Sequence, residues 1–225
     1  MNLPNLSNPV PNLWRVVCGD LRGLYTGRSL LRVLAGFLAG GILANTPLDQ
    51  WLEDAYRTHV HADSRTARTC QWIAKQVGDR YVVIGAPVAA MAAGWLAPAS
   101  SAAAAAGSWG AQFARTFVAA APAAYGGTWL LGGDRPKKNH GSAWQPWRWV
   151  EKGVSGHAMA GAIPFLVAAG MTANPAARAV LYAGSGAAAW SRLDSRSHYP
   201  SQIFLGWWCS FMALCAVRRR RAPRT

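Results

Sequence analysis

The chain has 225 residues, enough for one domain with a sizeable core. It is 52% hydrophobic and only 14% charged, unlike an ordinary soluble domain with roughly 25% charged residues. The missing charges are mostly acids, since 9 Asp and Glu face 23 Lys and Arg for a net charge of +14, and that balance points to polyanionic partners such as nucleic acid, anionic lipid head groups or phosphorylated substrates. The mean hydropathy of +0.07 is low for a multi-pass membrane protein. Ala and Gly dominate the apolar stretches, however, and they score weakly while packing helices closely in lipid; Arg-rich loops lower the average further.

Residues 1–28 read as a polar, proline-containing cytoplasmic lead with room for a short helix, and they lack the pattern of a cleaved signal peptide. A first apolar helix is expected from about Ser29 to Ala44, closed by Asn45-Thr46-Pro47. Residues 48–79 alternate charged positions with Trp51, Ala55, Val60, Trp72, Ile73 and Val77, which predicts one or two amphipathic helices lying on a membrane surface. The uncharged run 81–114 is divided by Pro98-Ala99-Ser100-Ser101. It gives a second helix over 81–97 and a third from about Trp109 to Leu131, with Ala102–Ala106 as a linker or helix start. After a polar, Trp-rich loop at 132–154, helices are expected at 157–172, 176–191 and 200–217, the last stopped by Arg218–Arg221. The expectation is an all-α, multi-pass membrane bundle of about six transmembrane helices. Its parts are a lead, first helix and amphipathic outer loop over 1–80, a catalytic helical core over 81–217, and a basic cytoplasmic tail over 218–225. The terminal Arg block should stay in the cytoplasm. Lys and Arg divide almost evenly between the two faces under that topology, but every acid except Asp20 falls on the outer one.

Three short stretches carry chemistry: Gly133-Asp134-Arg135-Pro136, Val154-Ser155-Gly156-His157, and Ser191-Arg192-Leu193-Asp194-Ser195-Arg196-Ser197-His198. With six helices all three fall on one membrane face, where two His and two Arg can converge. Phosphoryl transfer to an enzyme nucleophile needs cations or amide donors around the equatorial oxygens, which the planar Arg fork supplies bidentately. A neutral imidazole can be the nucleophile, and a second His can protonate the leaving oxygen near neutral pH. Ser155 and Gly156, just before a helix, would aim backbone N–H groups at the phosphate.

This pattern resembles the type 2 phosphatidic acid phosphatase (PAP2) superfamily, whose motifs are Lys-x6-Arg-Pro, Pro-Ser-Gly-His and Ser-Arg-x5-His-x3-Asp. The resemblance covers residues from about 115 to 217. It implies an acid-phosphatase-like helical core and a metal-independent, cofactor-free phosphatase. In that mechanism His198 attacks phosphorus to form a phosphohistidine, and His157 protonates the leaving group and then activates water. Arg135, Arg192, Ser155 and the Gly156 amide hold the phosphoryl oxygens. The implied substrate is an anionic phospholipid or polyprenyl phosphate, acted on at the extracytoplasmic face of the inner cell membrane.

Three positions depart from the motifs. Thr128 stands where Lys is expected, so one phosphate cation is missing; Lys137, Lys138 or Lys152 could reach in, Lys137 first. Val154 replaces Pro and changes only the angle at which the chain meets the helix. Gln202 replaces the Asp four residues after His198, on the same helix face. Glucose-6-phosphatases, which are similar to this family, also carry Gln there. Its carbonyl can accept the Nδ1–H bond of His198, Asp194 is a substitute carboxylate, and Gln202→Asp is expected to keep or raise activity.

Other features have blander readings. His59, His61 and Asp63 invite a metal but sit in a charged loop without a partner cluster. His140 lines the mouth of the site or is solvated, and Arg196 binds substrate or is merely exposed. Trp144, Trp147 and Trp149 anchor the membrane interface or guide a lipid, whereas Trp190, Trp207 and Trp208 read as packing residues. The four cysteines show no disulfide or metal spacing and read as buried structural thiols. Nothing resembles a nucleic-acid-binding module. The alternatives are a phosphatase or phosphotransferase acting on soluble esters, and a catalytically weak, lipid-binding relative.

Overall fold

The computed structural model of the chain describes residues 9–138, 140–147 and 153–220, with side chains from residue 13 onward. The described residues form ten α-helices and one 3-10 turn, with no strand. The helices are α1 (Pro9–Leu24), α2 (Gly27–Ala44), α3 (Leu48–His59), α4 (Arg65–Gln76), α5 (Arg80–Leu96), α6 (Ser101–Leu131), α7 (Gly156–Met171), α8 (Pro175–Gly184), α9 (Ala187–Asp194) and α10 (Pro200–Arg219), and the 3-10 turn is Pro136–Lys138. Lys152, Trp149 and the tail beyond Arg220 lie outside the described residues.

The bundle is built around α7 and α10, which are apolar on nearly every face and are covered by α6, α2, α8, α9 and α1. Small residues set their separation. A Cβ on Gly206 of α10 would sit 2.3 Å from the Ser155 carbonyl oxygen at the head of α7. The α5–α6 hairpin uses the same device, since a Cβ on Gly94 would lie 2.9 Å from the Gly107 Cα. Side-chain caps start the helices where the sequence offers them: Ser64 accepts from Ala67 N at 3.1 Å, Asp79 from Tyr81 N at 3.0 Å, and Asn174 from Ala177 N at 3.1 Å.

Two expected boundaries move. The third predicted helix begins at Ser101 instead of Trp109, because Ser100 caps it through Ala103 N at 3.3 Å and the alanine run continues the helix. The predicted helix 176–191 is broken into α8 and α9 at Gly184-Ser185-Gly186. There Ser185 Oγ donates to the Tyr182 carbonyl at 2.6 Å and accepts from Trp207 Nε1 at 2.8 Å, so the break is pinned to α10.

The amphipathic segment forms α3 and α4, but α3 is oriented with two of its three acids inward and Asp54 exposed. Asp49 and Glu53 are its buried residues, while Trp51 is 63% exposed. The cysteines also divide: Cys209 is buried, but Cys70 is exposed. Among the described residues, by length and composition, only α2 and α10, at 18 and 20 residues, are apolar and long enough to cross a membrane, and the α10 window is 61% buried against 28% for α2. The α5 and α7 helices are apolar but shorter.

Within α6, Pro122 removes one backbone donor from the helix interior. The Tyr25 hydroxyl fills the neighbouring gap, donating to the Ala119 carbonyl at 2.9 Å and accepting from Ala123 N at 3.0 Å. Tyr25→Phe should therefore cost about 1–2 kcal/mol, read as a thermal midpoint lower by roughly 2–8 °C for a chain of this size. An unchanged midpoint would mean that α6 closes its ladder without the phenol.

A candidate phosphate-binding active site

The site is assembled by the joints between helices. Ser155 caps α7 through Ala158 N at 3.3 Å, which leaves Gly156 and His157 in the first turn, where backbone N–H groups have no helical partner. His198 lies just ahead of α10, and its loop closes on itself: Arg192 O accepts from Ser197 N at 2.9 Å and from His198 N at 3.3 Å. His157 and His198 line one cavity of about 410 Å³, together with Gly156, Thr128, Gly78, Arg80 and Tyr125. Val83, Ile84, Phe117, Val154 and Ala160 complete its wall, and among the described residues no carboxylate lines it.

Gln202 is 1% exposed and joins the three motif stretches. Its Nε2 donates to the Asp134 carbonyl at 2.9 Å, which fixes the amide orientation, because a backbone carbonyl only accepts. Its Oε1 then accepts from His198 Nδ1 at 2.9 Å and from Tyr199 N at 3.2 Å. The Gln202 backbone carbonyl accepts from Ser155 N at 2.9 Å. His198 therefore carries a proton on Nδ1, and in its neutral form the lone pair is on Nε2.

The two arginines stand close enough for their charges to interact. Arg192 is half-buried and faces the like charge of Arg135. Arg192 Nε is buried with no hydrogen-bond partner among the described residues, and neither Arg135 nor Arg192 is among the residues that line the cavity of the two histidines.

Around this centre Arg57 and Arg196 are tied down. Glu53 Oε1 receives Arg196 Nε at 3.0 Å and Arg57 Nε at 3.3 Å, and Arg196 Nη2 also donates to the Pro136 carbonyl at 3.1 Å. Arg196 is thus a strut between the first and third motifs, a role that neither sequence reading gave it. Arg57 donates to the Leu193 carbonyl at 2.8 Å and also to that of Asp194. Asp194 accepts from Tyr56 Oη and bonds His61 Nδ1, both at 2.8 Å, so it is engaged away from His198. Asp49 caps α10, taking Ser201 N at 2.8 Å and Ser201 Oγ at 2.6 Å.

Lys137 is exposed and does not line the cavity; its backbone N–H donates to Arg196 O at 3.2 Å. Lys138 and His140 both pair with Asp134, at 3.3 and 2.6 Å. Thr128 lines the cavity but donates to the Ala124 and Val154 carbonyls at 2.9 and 3.0 Å. Trp144 is packed against the core, and Trp147 is 75% exposed. Among the described residues no three His, Cys, Asp or Glu side chains cluster to hold a metal.

Sequence reasoning missed Gly78, Arg80 and Tyr125. A Cβ on Gly78 would lie 2.6 Å from the His157 carbonyl oxygen, so the α4–α5 joint rests directly on the head of α7. The signal was present: the start of the second predicted helix falls on the same face as the three motifs.

No protein-family model, curated protein or solved structure matches the chain. The site's chemistry therefore has to be argued from its own groups. A tautomer-locked imidazole, a second imidazole beside it, two neighbouring guanidiniums and a helix N-terminus suit transfer of an anionic group.

Two outcomes follow. Gln202→Asp should lower turnover roughly tenfold or more, since the shorter carboxylate loses the donor to the Asp134 carbonyl and turns like partial charges together. This reverses the expectation from sequence, and turnover at or above wild type would show that the Asp134 link is dispensable. Asp134 itself is pushed up by burial, but His140, the Arg135 amide and Lys138 outweigh this and hold it below the usual carboxylate range. A carboxyl depressed in the fold contributes stability above its unfolded value and loses it as pH falls through the folded one. Asp134→Asn should therefore cost stability near neutral pH, and the gap from wild type should narrow below about pH 4. A gap independent of pH would assign the loss to geometry alone.

Proposed function

We propose that the chain is a multi-pass membrane phosphatase of the type 2 phosphatidic acid phosphatase kind, hydrolysing lipid phosphate monoesters or diphosphates through a phosphohistidine. The observation that carries this reading is the convergence of His157 and His198 on one cavity, with His198 Nδ1 bonded to Gln202.

The steps follow from these groups. In this reading the substrate phosphoryl group enters the cavity at the head of α7, and Arg135 and Arg192, which are not among its lining residues, close on the phosphoryl oxygens to balance their charge and fix their orientation. His198 Nε2 attacks phosphorus in line; the P–N bond forms as the bond to the leaving oxygen breaks. His157, protonated, gives its proton to that oxygen. Neutral His157 then takes a proton from water, the hydroxide attacks phosphorus, and the P–N electron pair returns to Nε2. Inorganic phosphate leaves with both histidines restored.

Membrane placement is supported by surface as well as composition. Leu31, Leu34, Leu38 and Ile42 form an exposed stripe along α2, and Ile84, Val88 and Trp95 one along α5. On α3 the Trp51 side faces outward, as it would at a lipid interface. In a six-pass reading the spans are α2, α5, α6, α7, the α8–α9 pair and α10. Arg219 bonds Ser29 at 3.1 Å and Arg220 approaches Asp20 at 3.8 Å, which gathers basic residues at the end opposite the cavity. With the terminal Arg block kept in the cytoplasm, the extracytoplasmic face is the one this reading gives the cavity. The apolar wall of Val83, Ile84 and Phe117 favours a substrate with a hydrocarbon chain.

The detergent-solubilised chain should release phosphate from phosphatidic acid, phosphatidylglycerol phosphate or a polyprenyl diphosphate with EDTA present. His157→Ala should slow turnover by roughly 10²–10⁴-fold, and His198→Ala should abolish both release and an acid-labile phosphoenzyme. Release that persists in His198→Ala would overturn the mechanism.

A further inference from the structure

We propose that Arg80 binds the substrate's phosphoryl group, supplying from the α4–α5 joint the cation that position 128 lacks; this rests on the phosphatase reading above. Three observations converge on it. Arg80 and Thr128 line the same cavity as His157 and His198. The Thr128 hydroxyl is turned to the Ala124 and Val154 carbonyls, so it brings neither charge nor a spare proton to a phosphate. And the joint that carries Arg80 is part of the site's frame, because Gly78 is pressed onto the His157 backbone and a Cβ on Gly161 would lie 3.3 Å from the Gly78 Cα.

The state of Arg80 fits a binding role. Arg57 and Arg196 pair with Glu53, whereas Arg80 is exposed and, like Arg135 and Arg192, forms no ion pair among the described residues. Its partner is Tyr81: Nη2 donates to the Tyr81 hydroxyl at 3.0 Å, and the guanidinium stands 4.8 Å from the ring centre. That contact orients the fork without neutralising it. Arg80 belongs to the apolar helix α5, whose Val83 and Ile84 line the same cavity one turn further on. A cation above an apolar strip matches a phosphate head with a hydrocarbon chain attached.

The test uses the full-length chain in detergent, with inorganic phosphate as the binding probe, followed by ³¹P linewidth, and phosphatidic acid as the turnover substrate. Arg80→Ala should raise the phosphate Kd and the KM roughly tenfold or more, as loss of a charge-assisted contact does. Arg80→Lys should recover part of both. Adding Thr128→Lys to Arg80→Ala should recover at least severalfold, because it restores a cation to the same cavity. Arg65→Ala, an exposed arginine elsewhere on the outer side, should change neither. If Arg80→Ala does not elute as a single species, Arg80→Gln carries the same comparison. Values within twofold of wild type in Arg80→Ala, an equal loss in Arg65→Ala, or no rescue by either lysine would overturn the proposal. His198-dependent turnover with unchanged phosphate binding in Arg80→Ala would overturn it while leaving the phosphatase standing. Arg80-dependent phosphate binding without turnover would do the reverse.

Discussion

The amide of Gln202 is the constraint on which the rest of the site depends. It is buried, so each of its hydrogen-bonding atoms must find a partner or cost about 1–3 kcal/mol. The partners it finds are His198, Tyr199 and Asp134, and its own carbonyl takes the amide of Ser155. Those residues belong to three segments far apart in sequence. Because one side chain has only one geometry that satisfies all of them, the ring of His198, the loop of Arg135 and the head of α7 are held in register together. A carboxylate at this position would have no proton to offer the Asp134 carbonyl, which gives a physical reason for the amide.

The remaining support comes from the first 80 residues. Asp49 holds the first turn of α10, Glu53 and Arg57 hold the loop ahead of it, and Gln71 donates to the Ser191 carbonyl at 3.1 Å. α3 and α4 therefore grip the third motif with their polar sides, while Trp51 and Trp72 face away. The second motif is braced separately, by Gly78 against α7 and by Gly206 from α10. Each half of the site is fixed by a different part of the chain, and the cavity is the space between them.

Much of this was legible in the residue order. Apolar runs gave the helices that became α2, α5, α7 and α10, and motif spacing gave His157, His198 and the Gln202 contact, since residues four apart share a helix face. What was hidden depended on contacts between distant segments. The acids of α3 were read as the wet face of an amphipathic helix, because nothing local says that Arg196 and Ser201 will meet them. The break at Ser185 needed Trp207, and Arg196 needed Glu53 and Pro136, to acquire their roles. Arg80 was passed over because it matches no motif; only the folding of the α4–α5 joint onto α7 brings it to the cavity.

The pairing of the acids has an electrostatic result that the net charge alone does not convey. Glu53, Asp63, Asp134 and Asp194 are each already held by Arg, Lys, His or Tyr, and Asp49 by a serine. Those acids belong to the frame, and Asp79, between the cavity residues Gly78 and Arg80, is engaged as the cap of α5. An electrostatic field around the cavity reaches outward about one Debye length, roughly 8 Å at physiological ionic strength. On the phosphatase reading proposed above, a dianion within this range would be drawn toward the opening before touching any side chain, while a neutral lipid of the same length would drift past. Discrimination would then begin at the distance of the field and not at the distance of contact, and salt would erode capture before it eroded the chemistry.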